Sequence, residues 1–462
     1  MVLLLLLVFC SSLLILALLA VRRVWKDSYL NGQDAAFLNA DPEGVCSVVS
    51  LLELHCTASR LDETFRDLFG RFSLLPRMRC RLLSRRWLWP RLEDTGSEFD
   101  LDKHFQVFDD PCSDDWLKSF CGRLQNTPLV PSHNPAWRVY LVRSDEADTV
   151  YLIAHFHHSY ADGVTMLRYL LSLRTQHNDL EKPQKQERRQ PKQTQQTLLS
   201  RFMSIAYECV AAFAFFVTLR YDPPSPLKPT AAVRPGSVQL NWSKQVPVKL
   251  VSAIARKANS TVNSVVIAAY AGALHSWMVR HSHAIPASLR SYVWVSLRSL
   301  DLLREAPLDI GNAIGNAVVP LPVHLDTPLA RLEKFSRDAE AMKASMQPMA
   351  MCALVNLTGL LPPVLSRAVV LETGYKVSLS CSSLPGPKEQ VFLVDGVWIK
   401  SIIASTRAQN LIGLFCVIVS CNAQLRMSLS SDSALVSDPK FIIDAFEAEI
   451  LKLASDLEIK VH

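Results

Sequence analysis

Residues 175–200 read TQHNDLEKPQKQERRQPKQTQQTLLS, a stretch so rich in Gln, Lys, Arg and Pro that it cannot bury a core. It cuts the chain in two. On either side, short strand-like runs alternate with helical spacing, the pattern of α/β architecture. The first such region runs from Asp27 to about Arg174. In the second, Thr230 to His462, Val262–Val279 sets Val266, Tyr270, Leu274 and Trp277 on one helical face. Ser291–Leu297 and Leu414–Ser420 read there as buried strands. No repeat of about 20–50 residues is visible. The length of 462 residues and the 49% apolar content exclude a disordered or low-complexity chain. The expected fold is α/β, with halves at 26–174 and 230–462 around a connecting segment, 175–229.

Two apolar runs stand outside that pattern. Val2–Val21 holds twenty residues without a charge, enough to cross about 30 Å of hydrocarbon as a helix. A cleaved signal peptide would carry a basic residue before a shorter run. Here Arg22, Arg23 and Lys26 follow it instead, which predicts an anchor over residues 1–25 with the remainder cytoplasmic. The second run, Met203–Leu219, includes Phe213, Phe215 and Phe216. Glu208 inside it and Arg201 and Arg220 at its ends disfavour a spanning helix. A helix in the membrane interface, or one packed on the core, fits better. Asp222–Pro229, DPPSPLKP, closes the segment. A mean hydropathy of +0.14 agrees with membrane contact.

Charge and cysteine usage exclude other classes. A net charge of +6 is too mild at this length to indicate nucleic acid. The eleven cysteines include no CxxC pair, so neither a disulfide framework nor a zinc finger is indicated. The arginines Arg71, Arg77, Arg79, Arg81, Arg85, Arg86 and Arg91 lie in a stretch without acids, with Trp87 and Trp89 among them. They fit anionic headgroups, CoA phosphates or a solvated helix face.

The chemical signal lies in Thr149–Arg174. Thr149–Phe156 is β-rich, and from Val164 onward the apolar residues follow helical spacing. Between them sits His157-His158-Ser159-Tyr160-Ala161-Asp162-Gly163, at a strand-to-helix junction where functional side chains commonly emerge. Asp162 suits an N-cap and Gly163 a tight backbone. His155 and His157 share a strand face, but without nearby Cys or Glu partners no metal site is expected.

His157-His158-x-x-x-Asp162-Gly163 resembles the HHxxxDG motif of the wax ester synthase/diacylglycerol acyltransferase family, within the CoA-dependent acyltransferases. Other segments resemble that family in order along nearly the whole chain. They are Trp89-Pro90-Arg91 through Phe99-Asp100-Leu101-Asp102-Lys103-His104, then Pro128-Leu129 through Pro135-Ala136-Trp137. Thr261–Val266, Val295–Arg298, Gly315-Asn316 with Val319–Pro322, and Ser383–Pro387 follow. Ala136, Ser264 and Ser383 depart from the family pattern.

The resemblance implies two pseudo-symmetric halves with the site in a tunnel between them. It implies His158 as general base, with His157 beside it in the catalytic pair. Asp162 and Gly163 would shape the loop, with Arg298 as the partner of Asp162. Asn263 and Asn316 would support the site, by polarising the thioester or by capping chain turns. Pro128 and Trp137 are candidates for substrate binding. The implied partners are acyl-CoA as co-substrate, a fatty alcohol or diacylglycerol as acceptor, and membrane lipid, with no cofactor. The endoplasmic reticulum is the natural location for such chemistry. Neither a GxSxG elbow nor a Walker or GxGxxG loop is present, so no acyl-enzyme is required. A lipid-binding protein without catalysis and a transferase for a small soluble acceptor are the alternative readings.

Overall fold

A computed structural model describes residues 30–41, 43–56, 61–72, 75–85, 88–130, 133–172, 207, 210–228, 236–287, 289–297, 311–394, 396–407 and 412–460. The expected anchor, the polar linker and Arg298 lie outside the described residues.

In chain order the first region forms α1 (Gly32–Ala40), β1 (Ser47–Cys56), α2 (Leu61–Phe72), β2 (Cys80–Arg85) and β3 (Leu88–Asp94). β4 (Phe105–Cys112), α3 (Asp114–Gln125), β5 (Trp137–Ser144), β6 (Thr149–His157) and α4 (Gly163–Ser172) complete it. After a helical stretch at 210–218 come β7 (Val238–Trp242), β8 (Val246–Pro247), α5 (Val248–Lys257), α6 (Val262–Arg280), β9 (Leu289–Ser296) and β10 (Ile314–Leu321). Then follow α7 (Pro328–Lys343), α8 (Gln347–Leu360), α9 (Pro363–Lys376), β11 (Leu379–Pro385), β12 (Phe392–Val394) and β13 (Val397–Thr406). β14 (Leu414–Cys421), β15 (Gln424–Asp432) and α10 (Pro439–Asp456) end the chain's ordered elements.

Two mixed sheets form the framework. The first has the order β12-β13-β1-β6-β5-β4, the second β10-β9-β11-β14-β15-β7 with β8 beside β15. The split at the linker expected from sequence is therefore not the division of the sheets. β13, from the second half of the chain, pairs along β1 from Val48↔Thr406 to Cys56↔Val397 and completes the first sheet. In the other direction, α1 crosses onto α8 so closely that a Cβ on Gly359 would lie 1.6 Å from the Gly32 carbonyl oxygen. Each half contributes an element to the other's packing.

The second sheet packs on α6. Its sequence spacing predicts one apolar face, but Val265 through Leu274 are all buried except for no more than a few per cent, because α7 and α10 cover the side away from the sheet. α6 is long and apolar enough to cross a membrane, yet 72% of its apolar window is buried inside the protein. Thr261 caps it, its hydroxyl accepting from the Ser264 N–H at 3.1 Å. Gly272 leaves room for an internal ion pair, Arg331 Nη2 to Glu449 Oε2 at 2.6 Å; a Cβ there would lie 2.3 Å from that oxygen.

The α1–α8 contact holds α1 in place, and its tolerance is measurable. Gly359→Ala puts a methyl into a backbone carbonyl, so we expect a stability loss of at least the ~1–3 kcal/mol typical of overpacking. Gly70→Ala in α2, where a Cβ meets nothing within 4 Å, is the control. It should be neutral or stabilising by up to about 1 kcal/mol, the helix preference for Ala. Denaturant titration of both variants checks the contrast, and an unaltered midpoint in Gly359→Ala would refute the close contact.

Candidate active site

β6 ends at His157 and His158 follows it directly, so the two side chains leave the strand end in opposite directions. His157 is fully buried. Its Nδ1 accepts from the Ser159 N–H at 3.2 Å, so Nε2 carries the proton and donates to Asp41 Oδ2, also at 3.2 Å. Burial works against the Asp41 carboxylate, but hydrogen bonds from His157 and from the Cys46 and Val45 backbone hold its pKa below the ordinary value. Sequence reading placed His157 in the catalytic pair. The structure gives it a different place, with both ring nitrogens occupied and no surface for substrate.

His158 turns the other way and is only partly buried. Its ring stacks on Phe37 of α1, with centroids 4.1 Å apart and planes inclined by 13°. Nδ1 lies 3.1 Å from Asn312 Oδ1. The orientation of that amide is fixed by its other end: Asn312 Nδ2 donates to Asp34 Oδ1 and to the His158 carbonyl, each at 2.7 Å. Both partners are acceptors, so Oδ1 must be the atom facing His158. Nδ1 therefore carries the proton and Nε2 holds the free lone pair. Burial pushes the His158 pKa down to about 4, against the Asp162 charge and the Asn312 hydrogen bond, which raise it. At neutral pH the ring is an uncharged proton acceptor.

Behind Asn312 stands a buried carboxylate. Asp34 Oδ1 also accepts from the Asn312 backbone N–H at 2.8 Å, and Oδ2 pairs with Arg77 Nη2 at 2.6 Å. Burial pushes its pKa above the ordinary carboxylate value, opposed by Arg77 and Asn312. Arg77 also donates to the Ser159 carbonyl, tying the pair to the His158 loop. Asn31 caps α1 by accepting from the Asp34 N–H at 2.8 Å. Gly311 has φ +116°, and a Cβ there would sit 2.7 Å from Asp34 Oδ2. Only glycine fits.

Asp162 joins the same construction. Oδ1 accepts from the Thr165 N–H at 2.7 Å, capping α4, and Oδ2 accepts from the Ala313 N–H at 2.8 Å. The neighbouring Ile314 is bracketed by Gln33 of α1, which accepts from its N–H at 3.0 Å and donates to its carbonyl at 2.8 Å. Residues 311–314 are thus clamped from three sides.

Two largely apolar cavities border this centre. The first, about 840 Å³, is walled by Phe156, Gly163 and Leu167 from the motif and by Trp137, Leu384 and Gly386. A Cβ on Gly163 would meet Leu384 Cδ1 at 3.0 Å, a tight contact that a shift of a few tenths of an ångström in that leucine end would relieve. Trp137 is anchored by its Nε1–H to the Met78 carbonyl at 2.8 Å. The second cavity, about 820 Å³, includes Phe37, Trp294 and Asn316 in its wall. Among the described residues, no cluster of three His, Cys, Asp or Glu side chains is arranged to hold a metal.

The structure separates the other candidates. Pro128 is exposed and lines neither cavity. Asn263 lies in the first turn of α6 and also lines neither, while Ser264 is engaged with the Thr261 cap. The arginines do not form one helix face. Arg77 turns inward to Asp34, whereas Arg81 pairs with Glu93 at 2.5 Å across the β2–β3 hairpin. The side chains of Arg71 and Arg85, and Arg86 entirely, lie outside what is described.

Sequence reasoning missed Asp34, Phe37, Asp41 and Asn312. One signal existed: Gly-Asn occurs twice, at Gly311-Asn312 and Gly315-Asn316. The first pair faces the histidine and the second the cavity wall.

The fold thus sets a uniquely oriented, neutral histidine next to residues that wall two apolar cavities. Comparison with known proteins places the chain. Residues 30–289 match the wax ester synthase/diacylglycerol acyltransferase catalytic domain, and 310–454 match the WS/DGAT C-terminal domain. The O-acyltransferase WSD of Acinetobacter baylyi is 22% identical over 352 residues, covering 69% of this chain and 74% of that protein. The structure of a wax ester synthase/diacylglycerol acyltransferase from Marinobacter aquaeolei VT8 superposes with TM-score 0.64 at 18% identity, covering 93% of this chain and 100% of that one. A trichothecene 15-O-acetyltransferase from Fusarium sporotrichioides shares the fold with TM-score 0.59 at 13% identity, over 92% and 95% of the two chains. The chain belongs to the wax ester synthase/diacylglycerol acyltransferase family and is an acyl-CoA-dependent O-acyltransferase.

The Asn312 contact has a kinetic consequence. Asn312→Leu keeps the side chain's size but frees the imidazole to rotate and exchange tautomers. We expect kcat to fall about 10–100-fold, the equivalent of ~1.4–2.7 kcal/mol of misplaced transition-state contact, with KM for acyl-CoA nearly unchanged. Steady-state kinetics on folded variant reads the split, and a KM effect without a kcat effect would contradict the assignment.

Proposed function

We propose that this protein esterifies a long-chain alcohol or diacylglycerol with fatty acyl-CoA at a membrane surface, with His158 as general base. The observation that carries the reading is the His158 ring: its protonated Nδ1 is held by Asn312, and its unprotonated Nε2 is left to the substrate. Nε2 takes the proton from the acceptor hydroxyl as the oxygen attacks the thioester carbonyl. The tetrahedral intermediate collapses, the C–S bond breaks, and the departing CoA thiolate recovers the proton from Nε2. Products are ester and free CoA. Acyl-CoA is the only co-substrate this sequence of steps requires.

The membrane part of the reading rests on exposed apolar surface. In the helical stretch 210–218, Phe213 and Val217 are 58% and 55% exposed. Leu219, at the foot of that stretch, packs in one cluster with Tyr292 and Met351, which also line the second cavity. Met346 and Leu365, at the starts of α8 and α9, are exposed as well, so the helices that wall this cavity carry apolar side chains outward. Exposed apolar side chains of this kind fit a lipid interface. The cytoplasmic face of the endoplasmic reticulum suits a consumer of acyl-CoA, and the uncharged Val2–Val21 run would fasten it there.

His158→Ala should lower ester formation by roughly 10²–10⁴-fold, the usual worth of a general base. With the pKa of His158 held at about 4, the base form is already complete at neutral pH. Activity should therefore be flat across neutral pH and be lost as pH falls through about 4. Labelled palmitoyl-CoA with hexadecanol or diacylglycerol, assayed in membranes across a pH series, tests both points. Full turnover by His158→Ala, or an acid limb near the ordinary histidine pKa of about 6.5, would reject His158 as the base described here.

A further inference from the structure

The second cavity contains one polar group that the protein itself leaves unmet. Five polar side chains contribute to its wall, and four are spoken for. Thr358 donates to the Leu354 carbonyl at 2.7 Å, and Thr373 to the Val370 carbonyl at 2.9 Å. Tyr292 donates to the Thr373 carbonyl at 2.9 Å, and Trp294 to Ser380 Oγ at 2.7 Å. The fifth is Asn316. It is 3% exposed, and its Oδ1 is buried without a hydrogen-bond partner. Native proteins rarely keep such a group without a use for it.

Its position relative to the base is defined. On β10, Asn316 stands directly opposite Trp294 of β9, so both side chains project from the same face of the sheet. The Trp294 ring is 6.4 Å from that of Phe37, which stacks on His158 at 4.1 Å. Phe37, Trp294 and Asn316 all line this cavity, so an acceptor whose hydroxyl meets His158 and whose tail enters past Phe37 runs along the wall that carries Asn316. A plain alkan-1-ol has only methylenes to offer there and leaves the amide unmet. An acylglycerol has oxygen at that point. Its ester carbonyl can accept from the Asn316 NH₂, and a second hydroxyl can donate to Oδ1.

We propose that the second cavity is the acceptor site and that Asn316 makes it select acylglycerols over plain long-chain alcohols. The inference rests on the acyl-transfer reading above. Asn316 acts here as a specificity-determining residue, since a site built to hydrogen-bond a substrate oxygen discriminates against analogues that lack it.

The test compares hexadecanol, monopalmitoylglycerol and dipalmitoylglycerol as acceptors for palmitoyl-CoA, using the full-length protein in membranes. The readout is the ratio of kcat/KM for glyceride to that for hexadecanol, which is insensitive to the fraction of folded enzyme. Asn316→Leu, close in size and without hydrogen bonds, should lower that ratio by about tenfold or more. Asn316→Ala should do the same if the leucine variant folds poorly. An unchanged ratio in both variants, with ester still formed, overturns the inference and leaves acyl transfer standing. No ester from any acceptor by the wild-type protein overturns the acyl-transfer reading and the inference with it.

Discussion

The Asp34 carboxylate is completely buried, where an unpaired charge would cost far more than the fold's net stability could absorb. It is met instead by Arg77 on one oxygen and by the backbone and side chain of Asn312 on the other. Those contacts reach well beyond the pair. Arg77 fastens the His158 loop through Ser159, and Asn312 fastens the His158 ring and its carbonyl. Removing one partner would leave a buried charge unmet, which is the expensive way to break such a network. α1, the motif loop and residues 311–314 are therefore fastened to one another through this one carboxylate and its partners.

This network needs the interleaved topology. Asp34 and Asn312 are 278 residues apart, and they meet only because α1 lies across α8 while residues 311–314 lead directly into β10. β13 works in the opposite direction, running beside β1, whose other neighbour is β6, the strand that ends at His157 and leads into His158. Neither half can carry the site alone. An active centre built at a meeting of two sheets acquires its rigidity from such crossings, because each crossing element is fixed by packing on both sides.

What was legible in the sequence was local. β6, the loop and α4 follow from an apolar run, a capping Asp and helical spacing, and the structure places them over Thr149–His157 and Gly163–Ser172. α6, β9 and β14 lie within one or two residues of their expected bounds for the same reason. What escaped depended on distance or on direction. Strand alternation could have separated His157 from His158, because neighbours on a strand cannot share a face. Nothing local distinguishes Gly311-Asn312 from Gly315-Asn316; one lies before β10 and the other within it, and only the arrival of α1 decides which meets His158. The arginine run gave no hint that a hairpin would pair Arg81 with Glu93 and send Arg77 to a carboxylate from another segment.

The choice of an amide rather than a carboxylate next to His158 has a chemical logic. A carboxylate on Nδ1 would favour the imidazolium in the resting enzyme and raise its pKa. An acceptor entering an apolar cavity would then meet a charged ring that cannot accept a proton. Asn312 keeps the ring neutral and fixes its tautomer, while Asp34 stays one hydrogen bond further back. The cost is base strength, since a pKa of about 4 lies below the value that best matches neutral pH. Compensation comes when the proton arrives. Were positive charge to develop on the ring as proposed, its own backbone carbonyl, the Asp162 charge and the Asn312 oxygen would all stabilise it, the same influences that already oppose the effect of burial. With His158 in the proposed role of base, catalysis would lean on orientation and on charge stabilisation at the moment of transfer rather than on the intrinsic strength of the base.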